Sequence, residues 1–543
     1  MMVKSLAGSL TAALVAVVWY WSMGTRITYG DASQVRSLIE EAFLTSWEDY
    51  EAYGWGSDEY SPLKRTHKNM GASDAPLGWI IVDSLDTMMM MYNSSGSSRL
   101  LAGILKAQTW IDNELNYDLD SEVSLFETTI RMLGGLLSAH HWSSQMRVGN
   151  EQMYLDKAID LADRLSMAFL QSKSGIPYSS INLHTGEAVK NHVDGGASST
   201  AEFTTLQLEF KYLSYLTGNK SYWELSEQVY KPLYSLNGLV GPQWDGLAPI
   251  YTYPDTGEFR GNHIRFGSRG DSFYEYLLKQ YLLTHEKLYY DLYRASIEGM
   301  KKHLLGTSKP NGLVYIGEKQ FGLRSELDPK MDHLVCFMGG LLAMGATEGL
   351  PIKKARKQPF WDTTRESDWK LAQDLTYTCY QMYAQIPTKL SPEIVVFNKE
   401  DAVGRSNWIS ESGDFYVKPA DRHNLQRPET VESLMFLYHL TGDNKYRQWG
   451  WEIFQGFQQH SLKPRMRRPG KVYTSLKDCI QSPTQPLDNL ESFWLAETLK
   501  YLHLLFQDDV DLTKIVFNTE AHAFPVLDTR SLRDMKLKTG WSP

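Results

Sequence analysis

Four stretches of this chain are written to one plan. VGNEQMYLDKAIDLADRL begins at Val148, LTGNKSYWELSEQVYKPLY at Leu216, LTHEKLYYDLYRASIEGM at Leu283 and LTGDNKYRQWGWEIFQGF at Leu440. Each opens on a short polar turn, places an aromatic at a similar offset and continues as an amphipathic helix. The first three lie roughly 70 residues apart, a length that holds two helices and their loops. Another helix-like run, such as FTTLQLEFKYLSYL or ETVESLMFLYHL, stands before the turn. The repeating unit is therefore a helical hairpin. About 500 residues at this period allow roughly seven hairpins. Stacked hairpins bury a continuous core either as an open solenoid or as a closed toroid. The pattern predicts an all-α chain, with minor strands such as VYIGE near Val314 and EIVVF at Glu393 in the connections.

The repeat does not reach the N-terminus. LAGSLTAALVAVVWYWSMG, residues 6–24, is apolar and uncharged and ends in Trp19, Tyr20 and Trp21. A signal peptide would show a small-x-small cleavage site there; bulky aromatics instead suit a membrane interface. The reading is an uncleaved anchor over 6–24, a short tail over 1–5, a stem over 25–36 and a luminal domain over 37–543. Lys4 and Arg26 flank the anchor and leave its orientation open by charge alone. The sequons at Asn93 and Asn219 favour a luminal C-terminal part. A net charge of -9 argues against a nucleic-acid partner. Three cysteines, Cys336, Cys379 and Cys479, allow one disulfide in three pairings, and their spacing does not suit zinc.

Acids recur beside aromatics and glycines at the helix starts. FGSRGDSFYEYLLKQ, from Phe266, predicts a tight exposed turn at Gly267 and Gly270, with Asp271 or Ser272 capping a helix from Phe273. Asp271 and Glu275 then share one face. In VSLFETTIRMLGGLL, Glu127 borders the apolar stripe and has Arg131 one turn later, while Gly134 and Gly135 point to close packing. RPETVES puts Pro428 at a first helical position, with Glu429 and Glu432 one turn apart. Asp83 and Asp86 follow an apolar run, Glu393 opens a strand, Asp332 precedes His333, and Glu491 and Glu497 flank Phe493 and Trp494. Taken singly, each is an ordinary cap or ion pair. In a closed ring, equivalent helix ends would converge on one cavity. Its oxygen-rich lining would suit calcium rather than zinc. Carboxylates beside aromatics also suit a sugar, since glycoside cleavage needs one protonated acid and one ionised carboxylate.

Long stretches match a known pattern. PLGWIIVDSLDT, FETTIRMLGGLLSA, GIPYSSINLHTGEA, GGASSTAEFTTLQLEF, RFGSRGDSFYEYLLKQ, KMDHLVCFMGG, DRHNLQRPETVES, ESFWLAETLKYL and FNTEAHAFPV together span nearly the whole luminal part. In them the sequence resembles the class I α-1,2-mannosidases of glycoside hydrolase family 47. The resemblance implies an (α/α)7 barrel and calcium-dependent hydrolysis with inversion on oligomannose N-glycans. It casts Glu127 as general acid, acting through a water, and Glu429 as the base, with Asp271 as a third catalytic carboxylate that could share that role. Thr519 is the implied calcium ligand, and Glu491 and Glu520 hold metal-bound waters. Asp83, Arg269, Glu275, Glu393, Arg427, Glu432, Phe493 and Glu497 are the implied substrate-binding set, with Phe493 under the sugar. Arg269 marks the endoplasmic-reticulum type, which trims one mannose from the nine-mannose glycan. Cys336 and Cys379 match the family's disulfide, leaving Cys479 free.

The expected protein is thus a monomeric, single-pass type II membrane enzyme of the endoplasmic reticulum or early Golgi. Two other readings compete. One is a mannosidase-like lectin that escorts misfolded glycoproteins and keeps many of the acids. The other is a membrane-anchored helical scaffold with no small ligand and no calcium.

Overall fold

The computed structural model describes residues 29–71, 75–399, 406–465 and 470–543. The expected anchor over 6–24 and the tail before it lie outside these residues. Among the described residues, fourteen helices of seven residues or more build the fold. In chain order they are α1 (Ala32–Tyr53), α2 (Trp79–Ser95), α3 (Ser98–Asn113), α4 (Gly134–Met146) and α5 (Glu151–Ser166). Next come α6 (Gln207–Thr217), α7 (Lys220–Glu227), α8 (Asp271–Thr284), α9 (Lys287–His303) and α10 (Met338–Thr347). The last are α11 (Thr363–Ala384), α12 (Glu429–Thr441), α13 (Asn444–Gly456) and α14 (Leu499–Leu505).

The even-numbered helices up to α8, with α10, α12 and α14, form an inner ring. Each packs on the next, and α14 closes back on α2. Each is backed by one outer helix: α3, α5, α7, α9, α11, α13 and, for α14, the N-terminal α1. Seven hairpins therefore close into an (α/α)7 barrel, and the open solenoid is excluded. Inner helices are buried all round, as α8 and α10 show. Outer helices are amphipathic, and the aromatic that recurs in the four repeats fills their inner face. Tyr154, Tyr222, Tyr289 and Tyr446 are all buried.

The hairpin turns follow from two residues each. In LTGN and LTGD, Gly218 and Gly442 adopt φ of 72° and 71° and end the inner helix. Asn219 and Asp443 then cap the outer helix through their side chains. Close inner packing explains the paired glycines of α4. A Cβ on Gly135 would stand 2.8 Å from the Val82 carbonyl oxygen of α2.

Strands are short and antiparallel, and lie in the connections. Ile394–Phe397 is not half of a simple hairpin; it is an inner strand of a four-stranded sheet, between Lys330–Asp332 and Phe415–Val417. The strands Ile515–Phe517 and Ala523–Pro525 form a hairpin packed on α8 and α4, with its tip at Asn518–His522 inside the ring. Lys279 of α8 and Lys500 of α14 both donate to tip carbonyls, at Asn518 and Ala521.

Three expectations change. Helix α1 begins at Ala32, within the stretch read as stem, and buries Val35. The turn before α8 is buried rather than exposed: Phe266, Gly267 and Gly270 are all covered. A Cβ on either glycine would strike Asp332 or the Arg265 carbonyl. Helix α8 starts at Asp271 itself, with Gly270 as its cap residue and no side-chain cap bond. The apolar segment His333–Ala355 is long and apolar enough to cross a membrane but is 83% buried in this core.

Candidate active site

The inner helices deliver their N-terminal ends to one cavity of about 400 Å3. Asp271 and Glu275 come from the first turns of α8, and Glu429 and Glu432 from the first turn of α12. Glu127 closes the short helical turn Leu125–Glu127, from which a π-helical turn, Thr128–Leu133, leads into α4. Glu497 lies in a second π-helical turn, Trp494–Thr498, before α14. Thr519 and Glu520 rise from the hairpin tip as the floor. Glu202, from the helical turn Thr200–Phe203, completes a set of eight carboxyl groups facing Arg131, Arg269 and Arg427. Phe493 and Phe126 supply the aromatic surface.

These acids are not equivalent. Burial opposes the charge on Glu429, but His333 Nδ1 lies 2.7 Å from its Oε2, and with Arg427 outweighs that penalty. Its pKa is held below the ordinary value, so it stays ionised. Asp271 is pushed up to about 7, mainly by burial and also by Glu275 and Asp332, and among the described residues its carboxyl accepts just the Ser272 amide at 2.9 Å. Burial raises Glu202 to about 7 and Glu432 to about 8. It also drives Glu497 and Glu520 well above the carboxylate range, helped by mutual repulsion around the cavity. One base-like carboxylate thus sits among acids poised to hold protons. Glu127 receives Arg131 Nε at 2.9 Å. Arg131 also binds Glu520 and reaches Asp83 and Ser492 at 3.3 and 3.2 Å.

The structure gathers most of the expected residues and sets three apart. Glu127, Arg269, Asp271, Glu275, Arg427, Glu429, Glu432, Phe493, Glu497, Thr519 and Glu520 line the cavity. Asp83 does not: it is fully buried behind the wall, where it accepts from Ser492, from His522 at 3.0 Å and from Arg131. Glu393 also lies outside the lining, accepting from Arg427 and from the Leu425 amide. Glu491 faces an adjoining recess instead. Asp83 and Glu393 are held by neighbours behind the wall, and Glu491 accepts from Asn489 Nδ2 at 2.6 Å beside the adjoining recess. The reason is depth, which acid spacing along a chain does not encode.

Sequence reasoning passed over Glu202, Asp194 and Tyr251. Glu202 stands three residues after Ser199, whose hydroxyl accepts its amide at 3.4 Å, so STAE reads as a capping box. Asp194 and Tyr251 both bind the Arg269 guanidinium and to each other at 2.7 Å, fixing Arg269 at the rim. Arg269 has φ of 73°, a left-handed conformation held by this surrounding. Cys336 and Cys379 form the disulfide, and Cys479 is free and buried. Asn93 and Asn219 are exposed.

The sequence matches glycosyl hydrolase family 47 over residues 42–526. The chain belongs to this family. It is 60% identical over 98% of its length to the endoplasmic reticulum mannosyl-oligosaccharide 1,2-alpha-mannosidase of Saccharomyces cerevisiae, covering 97% of that protein. A mannosyl-oligosaccharide 1,2-alpha-mannosidase of Candida albicans is 52% identical over 98% of this chain and 91% of its own length. Among solved structures, an alpha-1,2-mannosidase from Trichoderma reesei superposes with a TM-score of 0.77 at 26% identity. It covers 91% of this chain and 99% of its own. This family 47 protein is therefore a glycoside hydrolase, and its barrel is the family's.

Proposed function

We propose that this chain is an exo-acting α-1,2-mannosidase that trims one mannose from the nine-mannose N-glycan of glycoproteins. The observation that carries the reading is that Glu429, held by His333, and Glu127 line a single cavity with Phe493 in its wall. Glu429 takes the proton of the attacking water. Glu127 delivers a proton to the leaving oxygen through an intervening water. Asp271, with its raised pKa, holds or releases a proton at the same face and orients the water. Attack by water rather than by a carboxylate inverts the anomeric carbon. Phe493 supports the sugar ring, flanked by Arg427 and Arg131 at 5.4 and 5.9 Å from its centroid. Arg269, braced by Asp194 and Tyr251, offers its donors to hydroxyls of the next sugar and sets which branch enters.

The donor set fits calcium. Thr519 offers hydroxyl and carbonyl oxygens, with Glu275, Glu432, Glu497 and Glu520 around it and only oxygen atoms among them. Burial raises the pKa values of Glu432, Glu497 and Glu520, and neighbouring carboxylates that Lys279 and Arg131 do not fully offset raise them further. Among the described residues, no three His, Cys, Asp or Glu side chains close a cage. That suits an ion held directly by Thr519 and otherwise through waters and sugar hydroxyls. Bound there, calcium would orient mannose hydroxyls and offset carboxylate charge. Glu520 belongs to this shell; Glu491, in the next recess, does not.

Residues 6–24 would anchor the protein as a monomeric type II membrane protein of the endoplasmic reticulum, with 37–543 in the lumen. The test is mass analysis of a nine-mannose glycan after incubation with the soluble domain, in calcium and in chelator. Loss of one hexose in calcium alone supports the reading. Binding without any loss of mass would instead support the lectin.

A further inference from the structure

Behind the cavity wall lies a row of buried charged groups that does not reach the cavity itself. Asp83 and Asp86 of α2, Lys500 of α14 and His522 of the hairpin tip compose it. The two aspartates stand three residues apart on their helix, so both meet the tip. Lys500 donates to both Asp86 oxygens at 2.9 Å, and Ser138 of α4 donates to one of them at 2.8 Å. The His522 ring lies between the aspartates. Its Nε2 is 3.0 Å from Asp83 Oδ1, and its Nδ1 is 3.3 Å from Asp86 Oδ2 but outside hydrogen-bond geometry.

Asp83 divides its two oxygens. Oδ1 takes His522, while Oδ2 takes Ser492 and, at 3.3 Å, the Arg131 guanidinium. Arg131 in turn holds Glu127 at 2.9 Å and also binds Glu520. Its contact with the acid in front is thus shorter than its contact with the acid behind. A guanidinium pairs best with a carboxylate that offers both oxygens at once. With Oδ1 bare, Asp83 would offer Arg131 both and draw it back from Glu127. Packing does not explain the ring, because buried charged groups seldom gain stability over apolar side chains of the same volume. Nor does the tip need it to keep its turn. The Asn518 amide donates to the His522 carbonyl at 2.9 Å, the His522 amide donates to Asn518 Oδ1 at 2.8 Å, and Lys500 holds the Ala521 carbonyl.

We infer that His522 is a positioning residue: by occupying one oxygen of Asp83 it keeps Arg131 forward on Glu127, the acid that serves the leaving oxygen. The inference rests on the reading of Glu127 as that acid, and one of its tests does not.

Two amides separate the roles, since each reaches one aspartate. In His522→Gln the side-chain nitrogen falls where Nε2 stands and keeps the bond to Asp83. In His522→Asn it falls where Nδ1 stands and leaves Oδ1 bare. Rates on the nine-mannose glycan, calcium affinity by calorimetry, Tm and a crystal structure are obtained for both. His522→Gln should keep kcat within about threefold of the parent. His522→Asn should lower kcat about 10- to 100-fold with KM within about twofold, the range of general-acid effects. Both should bind calcium within about threefold of the parent. The His522→Asn structure should show Arg131 on both Asp83 oxygens and away from Glu127. Equal kcat in the two amides, a loss of kcat that follows Tm or calcium affinity, or an unmoved Arg131 in His522→Asn would overturn the inference. Failure of both variants to fold would show the ring to be structural and would overturn it too. Glu127→Gln is measured alongside. If it keeps the parent kcat, the acid reading fails, while a displaced Arg131 in His522→Asn still establishes what His522 positions.

Discussion

His333 Nδ1 stands 2.7 Å from Glu429 Oε2, and the far side of the same imidazole is fixed by Tyr383 and Thr430 at 2.8 and 3.0 Å. The ring cannot turn away, so Glu429 keeps both its orientation and its low pKa. His333→Gln should lower kcat by about 10- to 100-fold with little change in KM, in the range of general-base effects. Activity needs Glu429 ionised and falls as pH drops through its pKa. Losing His333 raises that pKa, so the acid limb of the kcat profile should move to higher pH. A purely structural histidine would lower activity without moving the limb.

The raised carboxyls fix the sign of the pH dependence of stability. Asp271, Glu202 and Glu209 at about 7 and Glu432 at about 8 are held protonated by burial in the folded state. The unfolded chain releases those protons near pH 4. Between about pH 4 and 8 the folded state binds more protons, so stability falls as pH rises. Thermal unfolding in chelator should therefore give a higher Tm at pH 5 than at pH 8. Calcium should raise Tm more at pH 8, where the carboxylates are ionised. A Tm that climbs from pH 5 to 8 in chelator would contradict this.

Thr519 donates its hydroxyl to Glu275 at 2.7 Å at the tip of the central hairpin. Thr519→Val keeps the shape and removes that oxygen. It should weaken calcium binding by at least about tenfold, the equivalent of one charge-assisted contact. Calorimetric titration of the soluble domain with calcium reads this directly, and the unfolding curve in chelator should move little.

The disulfide closes a 43-residue separation between the turn before α10 and the helix α11. In the chain-entropy treatment that loop stabilises by about 4 kcal/mol. Cys336 lies in the same turn as His333, His333–Phe337, and its carbonyl accepts from Ser433 of α12. Cys336→Ser should therefore lower both Tm and kcat, while Cys479→Ser, at the free buried thiol, should leave kcat unchanged.

Much of the barrel was legible because its hairpins are punctuated in two adjacent residues, as at Gly218–Asn219 and Gly442–Asp443. The recurring tyrosines then mark which face turns inward. Acids at first helical turns, such as Asp271 and Glu429, were legible for a related reason: ring closure brings equivalent ends together. What the sequence withheld was depth. Asp83 and Glu393 carry the same local signals as Glu429, yet they hold Arg131 and Arg427 from behind the wall. Glu202 was hidden by its own capping box. The glycines at 267 and 270 looked like an exposed turn, although they answer to close approach by Asp332 and Arg265. The π-helical turns at Thr128–Leu133 and Trp494–Thr498 leave no simple periodic mark, and each adjoins or carries a cavity acid.

The central claim is attack by a water, activated on Glu429, at the anomeric carbon of a terminal α-1,2-mannose. Proton NMR of the nine-mannose glycan, recorded from the first minutes of incubation with the soluble domain and calcium, tests it most directly. The account predicts one released mannose that appears first as the β-anomer, and none in chelator or with Glu429→Gln. First appearance of α-mannose, or release unaffected by Glu429→Gln, would contradict it.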